Sequence, residues 1–103
     1  MAIEQKYKRL YAVYKGAAGD DGDIKRMEDL ENLGILEKDI LYKVTKINMG
    51  SAHTTIKLLN IDGSFNSIAF SFYEVTKDRT VKCDIYDDAR FNPYIGSTST
   101  SKK

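Results

Sequence analysis

The chain has 103 residues, 42% of them hydrophobic and 30% charged, with 16 Lys+Arg against 15 Asp+Glu, one His, one Cys, one Pro and no Trp. A chain this short buries roughly 60–70% of its unfolded surface, which supports one core and excludes large multi-domain enzyme folds. The formal net charge of +1 excludes a global basic field for nucleic acid and an acidic mimic of it.

No run reaches the roughly 18 apolar residues of a membrane span, so no membrane role is expected. The opening MAIEQKYKRL lacks the apolar stretch of a signal peptide, and the expected compartment is the cytoplasm. With a single Cys, stability has to come from packing.

The balanced total conceals local segregation. Residues 1–16 carry Lys6, Lys8, Arg9 and Lys15 against Glu4, whereas residues 20–39 carry eight acids against Lys25, Arg26 and Lys38. Arg9–Tyr14 (RLYAVY) predicts the first strand, ending in a Gly- and Asp-rich loop over 16–23. Asp23 then reads as the N-cap of a helix over 24–33, with Ile24, Met27, Leu30 and Leu33 on one stripe and Gly34 as its stop. So short a helix has to pack its stripe on a partner, and a sheet face is the one available.

From residue 41 onward the chain reads as β. Leu41–Met49 predicts a strand whose Val44 and Ile47 break strict alternation, so a bulge is expected near Thr45 or Lys46. A turn at Gly50-Ser51-Ala52 leads to a second arm over 54–59, and Asp62-Gly63 supplies the residues of the next tight turn. Asn66–Tyr73 follows as a third arm, with Ile68, Phe70 and Phe72 inward and Ser67, Ala69 and Ser71 outward. A turn over 77–80 leads to Val81, Cys83 and Ile85 on one apolar face. The aromatics of 87–95 predict an irregular docked flap, and Gly96–Lys103 a disordered tail outside a single domain over 1–95. The fold class is α+β: four to five antiparallel strands, strongly curved or closed into an SH3-like barrel, with one short helix.

Few residues offer chemistry. His53 sits in a hydroxyl-rich turn without a nucleophile motif around it, and Cys83 alternates with apolar neighbours as a small core residue. Asp20-Asp21-Gly22-Asp23 fails calcium-loop spacing, because counting from Asp21 puts Lys25 at position 5 and Arg26 at position 6. Neither a metal site nor a cofactor is therefore assigned.

Two polar turns remain as candidate ligand or interface sites, one with Ser51, His53, Thr54 and Thr55, the other with Ser64, Asn66 and Ser67. They suit an anion or nucleotide as well as ordinary turn structure, and they precede and follow the 56–59 strand. Placed at its opposite ends, they are expected to meet only across a homo-oligomer interface. A second candidate surface interleaves Tyr11 and Tyr14 with Lys6, Lys8, Arg9 and Lys15, a pattern suited to stacking on single-stranded nucleic acid. Tyr11 and Tyr14 have opposite strand parity, however, so core and interface packing is the preferred role for the tyrosines.

Arg26–Leu30, Leu41–Val44, Met49–Ser51, Thr54–Ile56, Ser64–Ile68 and Arg90–Tyr94 together resemble small proteins of phages and prophages of Gram-positive bacteria. The likeness covers residues 26–94, with Gly63–Ser67 as its most distinctive run, and it implies a mobile-element origin more than an activity. A weaker likeness is to SH3-like barrels, without the acidic and aromatic peptide groove. With no catalytic constellation and a Tyr-rich composition beside this likeness, the expected function is that of a non-enzymatic accessory protein that binds a host protein, and its size and implied origin suggest inhibition of a bacterial defence system. Two alternatives are a sponge for a nucleotide or other small anion, and a nucleic-acid-binding module.

Overall fold

A computed structural model describes residues 4–50 and 53–92. Six strands form one antiparallel sheet: β1 (Leu10–Tyr14), β2 (Leu41–Met49), β3 (Thr54–Leu58), β4 (Ile61–Asn66), β5 (Phe70–Val75) and β6 (Thr80–Cys83). Their order is β4-β3-β2-β1-β5-β6, with one helix, α1 (Asp21–Asn32), between β1 and β2. The α+β class holds. The SH3-like barrel does not, because β4 and β6 are separate open edges, and the strands number six instead of four or five.

β4 is the strand absent from the sequence reading. The tight turn falls at Leu59-Asn60, where Asn60 takes φ +68°, while Asp62-Gly63 lies inside β4. Gly63 has φ +91° where the β3–β4 register shifts beside Lys57 and Leu58, so the Asp-Gly pair makes a bulge and not a turn. The bulge expected in β2 is present, with the register shifting between Val44 and Lys46. That extra residue keeps both Val44 and Ile47 buried on one face.

The third arm is also interrupted. A 3-10 turn over Ser67–Ala69 separates β4 from β5, and the Asn66 side chain accepts the Ile68 N–H at 3.2 Å. The turn resets the side-chain phase, so Ser67 and Ala69 are buried and Ile68 is 54% exposed, opposite to expectation. Phe70 and Phe72 point inward as read. On edge strand β6, Val81 is exposed, whereas Cys83 is half-buried against the core as read and Ile85 beyond it is fully buried.

α1 begins three residues earlier than Asp23 would set it. The Asp20 carboxylate accepts the Asp23 N–H at 2.8 Å and Asp23 accepts the Asp20 N–H at 3.3 Å, a reciprocal capping box with Asp20 as N-cap. Met27 is buried and Leu30 packs against the core, but Leu33 lies past the helix end and is exposed. Gly34, at φ +76°, makes the reversal. Arg26 ties α1 to the sheet edge by donating to the carbonyls of Ser64 and Asp62, with its guanidinium 4.5 Å from the Phe65 ring centre.

One face of the sheet carries the core: Leu10, Ala12 and Tyr14 of β1, Ile56 and Leu58 of β3, and Phe70 and Phe72 of β5. Met27, Leu36, Ile85 and Phe91 cover it. Phe91 stacks on Tyr7 at 5.9 Å, while Arg90 pairs with Glu74 at 2.7 Å and Asp88 at 2.6 Å, so the segment through Asn92 docks as a flap. Ser51 and the tail over 96–103 lie outside the described residues. Among the described residues no helix is long and apolar enough to cross a membrane.

Candidate functional site

Among the described residues, the other face of the sheet is left open. Directly paired residues of antiparallel strands point to the same side, so the register alone defines what this face presents. Lys43 of β2 pairs with Tyr11 of β1, Tyr11 with Tyr73 of β5, and Tyr73 with Lys82 of β6. The result is an unbroken row, cation–tyrosine–tyrosine–cation, across four strands and three strand spacings, roughly 14 Å. Both tyrosines are half-buried and Lys82 is exposed. The Lys43 ammonium lies 5.0 Å from the Tyr11 ring centre and donates to the carbonyls of Leu10, at 3.4 Å, and Tyr7. Its partial burial lowers its pKa.

Farther along the same face, Lys46 of β2 stands directly opposite Lys57 of β3. Like charges so placed repel, and among the described residues neither joins an ion pair. Leu41, Val13, Ser71, Val75 and Thr80 fill neighbouring paired positions. No Asp or Glu occupies any paired position on this side; Glu74 of β5 points to the core side, where Arg90 holds it.

Two clefts adjoin the face beyond the end of β1. One, of about 550 Å³, has Lys15, Ser71 and Lys82 along it, with Ile68, Cys83, Asp84 and Tyr86 among its other walls. The second, of about 420 Å³, brings together Asp20, His53, Thr54, Asn66, Ser67 and Tyr86. Ser67 and Tyr86 border both and share a hydroxyl–hydroxyl hydrogen bond, and Asn92 donates to the Tyr86 carbonyl at 2.7 Å.

The two polar turns therefore meet within one protomer, correcting the expectation that they need an oligomer. β4 runs back along β3 and sets Asn66 beside Thr55, so the turns share one end of the hairpin. Of these residues His53 is exposed, Thr54, Thr55, Ser64 and Asn66 are half-buried, and Ser67 is buried. Asn66 donates to the Asp23 carboxylate at 3.2 Å, and Asp20 also borders this cleft, a setting that works against an anion.

His53 and Cys83 border different clefts. Burial pushes the Cys83 thiol pKa up, with the Asp88 and Glu74 charges adding to it, which disfavours the thiolate. Among the described residues no group of three or more His, Cys, Asp or Glu could hold a metal ion.

The basic and aromatic surface read from Lys6–Lys15 is divided by strand parity. Lys6, Lys8, Arg9 and Lys15 are exposed and Tyr11 joins the open face, but Tyr14 is 1% exposed and belongs to the core. Lys43, Tyr73 and Lys82 escaped that reading because they join Tyr11 only through the strand register. Their signal was alternation within their own strands, opposite in phase to Val44, Phe72 and Cys83.

Residues 7–97 match the family described as Bacteriophage T4 protein Y07B. The chain belongs to this phage protein family. No curated protein and no solved structure matches it. The Y07B match contains the whole Lys43–Tyr11–Tyr73–Lys82 row and every residue bordering the two clefts. It also reaches β1 and the loop before α1, which the resemblance over 26–94 left out.

Proposed function

We propose that this phage protein acts by binding a host macromolecule, with no reaction of its own, and that the open sheet face is its contact surface. The observation that carries this reading is the Lys43–Tyr11–Tyr73–Lys82 row, an aromatic and cationic strip with no acid at a paired position, on the side of the sheet that the core does not use. Tyrosine supplies contact area at low entropic cost, and flanking lysines select an anionic partner. The setting is the cytoplasm of a bacterial host, a Gram-positive one on the sequence resemblance. Interference with a host defence system is the role such an accessory protein would serve.

The test is capture of host partners by the purified full chain, compared with Lys82→Glu and with His53→Ala. Binding that Lys82→Glu abolishes and His53→Ala leaves intact supports the reading. Turnover of a nucleotide or peptide that His53→Ala abolishes would overturn it, as would capture indifferent to Lys82→Glu.

A further inference from the structure

We propose that the open face binds single-stranded nucleic acid, with bases stacking on Tyr11 and Tyr73 and phosphates meeting Lys43, Lys82, Lys46 and Lys57. The inference rests on the reading of that face as the contact surface and names its ligand. Tyr11 and Tyr73 are direct cross-strand partners, so their side chains leave the same face from adjacent positions, with a lysine at each end of the row. Adjacent aromatic side chains flanked by cations match a strand whose unpaired bases offer π faces along a charged backbone.

The charge pattern supports a polyanion independently of the rings. Lys46 and Lys57 oppose each other without an ion-pair partner among the described residues, an arrangement that costs stability until an anion bridges it. The acids are concentrated elsewhere, with Asp21, Asp23, Glu28, Asp29 and Glu31 all on α1. The near-zero net charge is therefore a separation of charge, and the separation orients an incoming polyanion. A duplex fits less well: its bases are already stacked on one another, and among the described residues no helix or β-ribbon projects from this face to enter a groove.

The experiment is fluorescence anisotropy of the full chain with a labelled oligothymidylate, with its duplex on oligoadenylate, and with polyglutamate as competitor. Four phosphate contacts predict a log–log salt slope of about −2.8 on the single strand. Tyr73→Ala should weaken binding roughly 5- to 150-fold, whereas Tyr73→Phe keeps the ring and the affinity. The exposed double variant Lys46→Gln/Lys57→Gln should flatten the slope by about 1.4, and it guards against a Tyr73→Ala protein that fails to fold.

Duplex binding as tight as single-strand binding, affinity indifferent to salt, or displacement by polyglutamate at equal charge would each overturn the nucleic-acid assignment. Absence of oligonucleotide binding while Lys82→Glu still abolishes capture of an acidic host protein overturns this inference and leaves the contact surface standing. Absence of both overturns the two together.

Discussion

Replacing Tyr14 by Phe removes one oxygen atom from the middle of the core and is expected to stabilise the protein. Tyr14 is 1% exposed, and its hydroxyl has no hydrogen-bond partner among the described residues. The ring packs at 5.5 Å from Phe70, a contact that Phe would retain. Leaving a buried hydroxyl unpaired costs about 1–3 kcal/mol, so Tyr14→Phe should gain about 1 kcal/mol at neutral pH, or about 4–8 °C in Tm.

Burial, with the Glu31 and Glu28 charges nearby, pushes the Tyr14 pKa from 10.0 up to about 12. A raised acid pKa means that the folded state holds a proton the unfolded state gives up, so this contribution is complete below pH 10 and is lost as pH rises toward 12. Two pH units correspond to about 2.7 kcal/mol, which wild type loses and Tyr14→Phe keeps. Urea denaturation of both proteins, followed by circular dichroism from neutral pH upward, isolates the effect as a difference curve in which the other tyrosines and lysines cancel. A Phe variant less stable than wild type at neutral pH, or a flat difference above pH 10, would refute the argument.

Two further substitutions test the framework. Phe91→Ala removes the ring that pins the flap to Tyr7 and should cost about 3–5 kcal/mol, read by urea denaturation and by new tryptic cleavage after Arg90. Gly63→Ala forces an L-residue to φ +91° and places Cβ 2.1 Å from Arg26 Nη2. Its thermal destabilisation should exceed that of Gly34→Ala, where φ is +76° but nothing lies within 4 Å and only the backbone cost of about 1–2 kcal/mol applies. Equal losses at the two glycines would mean that the Arg26 clamp gives way freely.

What could be read in the sequence was local. The first strand, the β2 bulge and the opposite parity of Tyr11 and Tyr14 all follow from neighbours within one strand, and all are present. β4 was not legible because Asp62-Gly63 has turn chemistry, and the need for a glycine inside that strand comes from a bulge at φ +91° and from the guanidinium of Arg26 lying where a Cβ would stand. The inward Ser67 was missed for a similar reason, since its partner Tyr86 lies on the far side of β5 and β6 in the chain. The candidate surface was found in part: Tyr11 came from the sequence, whereas Lys43, Tyr73 and Lys82 depend on which strands become neighbours.

The Arg26 clamp has a consequence for assembly. A strand from another molecule approaching β4 meets two backbone carbonyls, Asp62 and Ser64, already occupied by one guanidinium, together with a bulge that breaks the ladder. At β6 no such stopper stands among the described residues. The sheet thus has a finished end and an unfinished one, and any growth by strand addition is directional, proceeding from the end that carries Lys82.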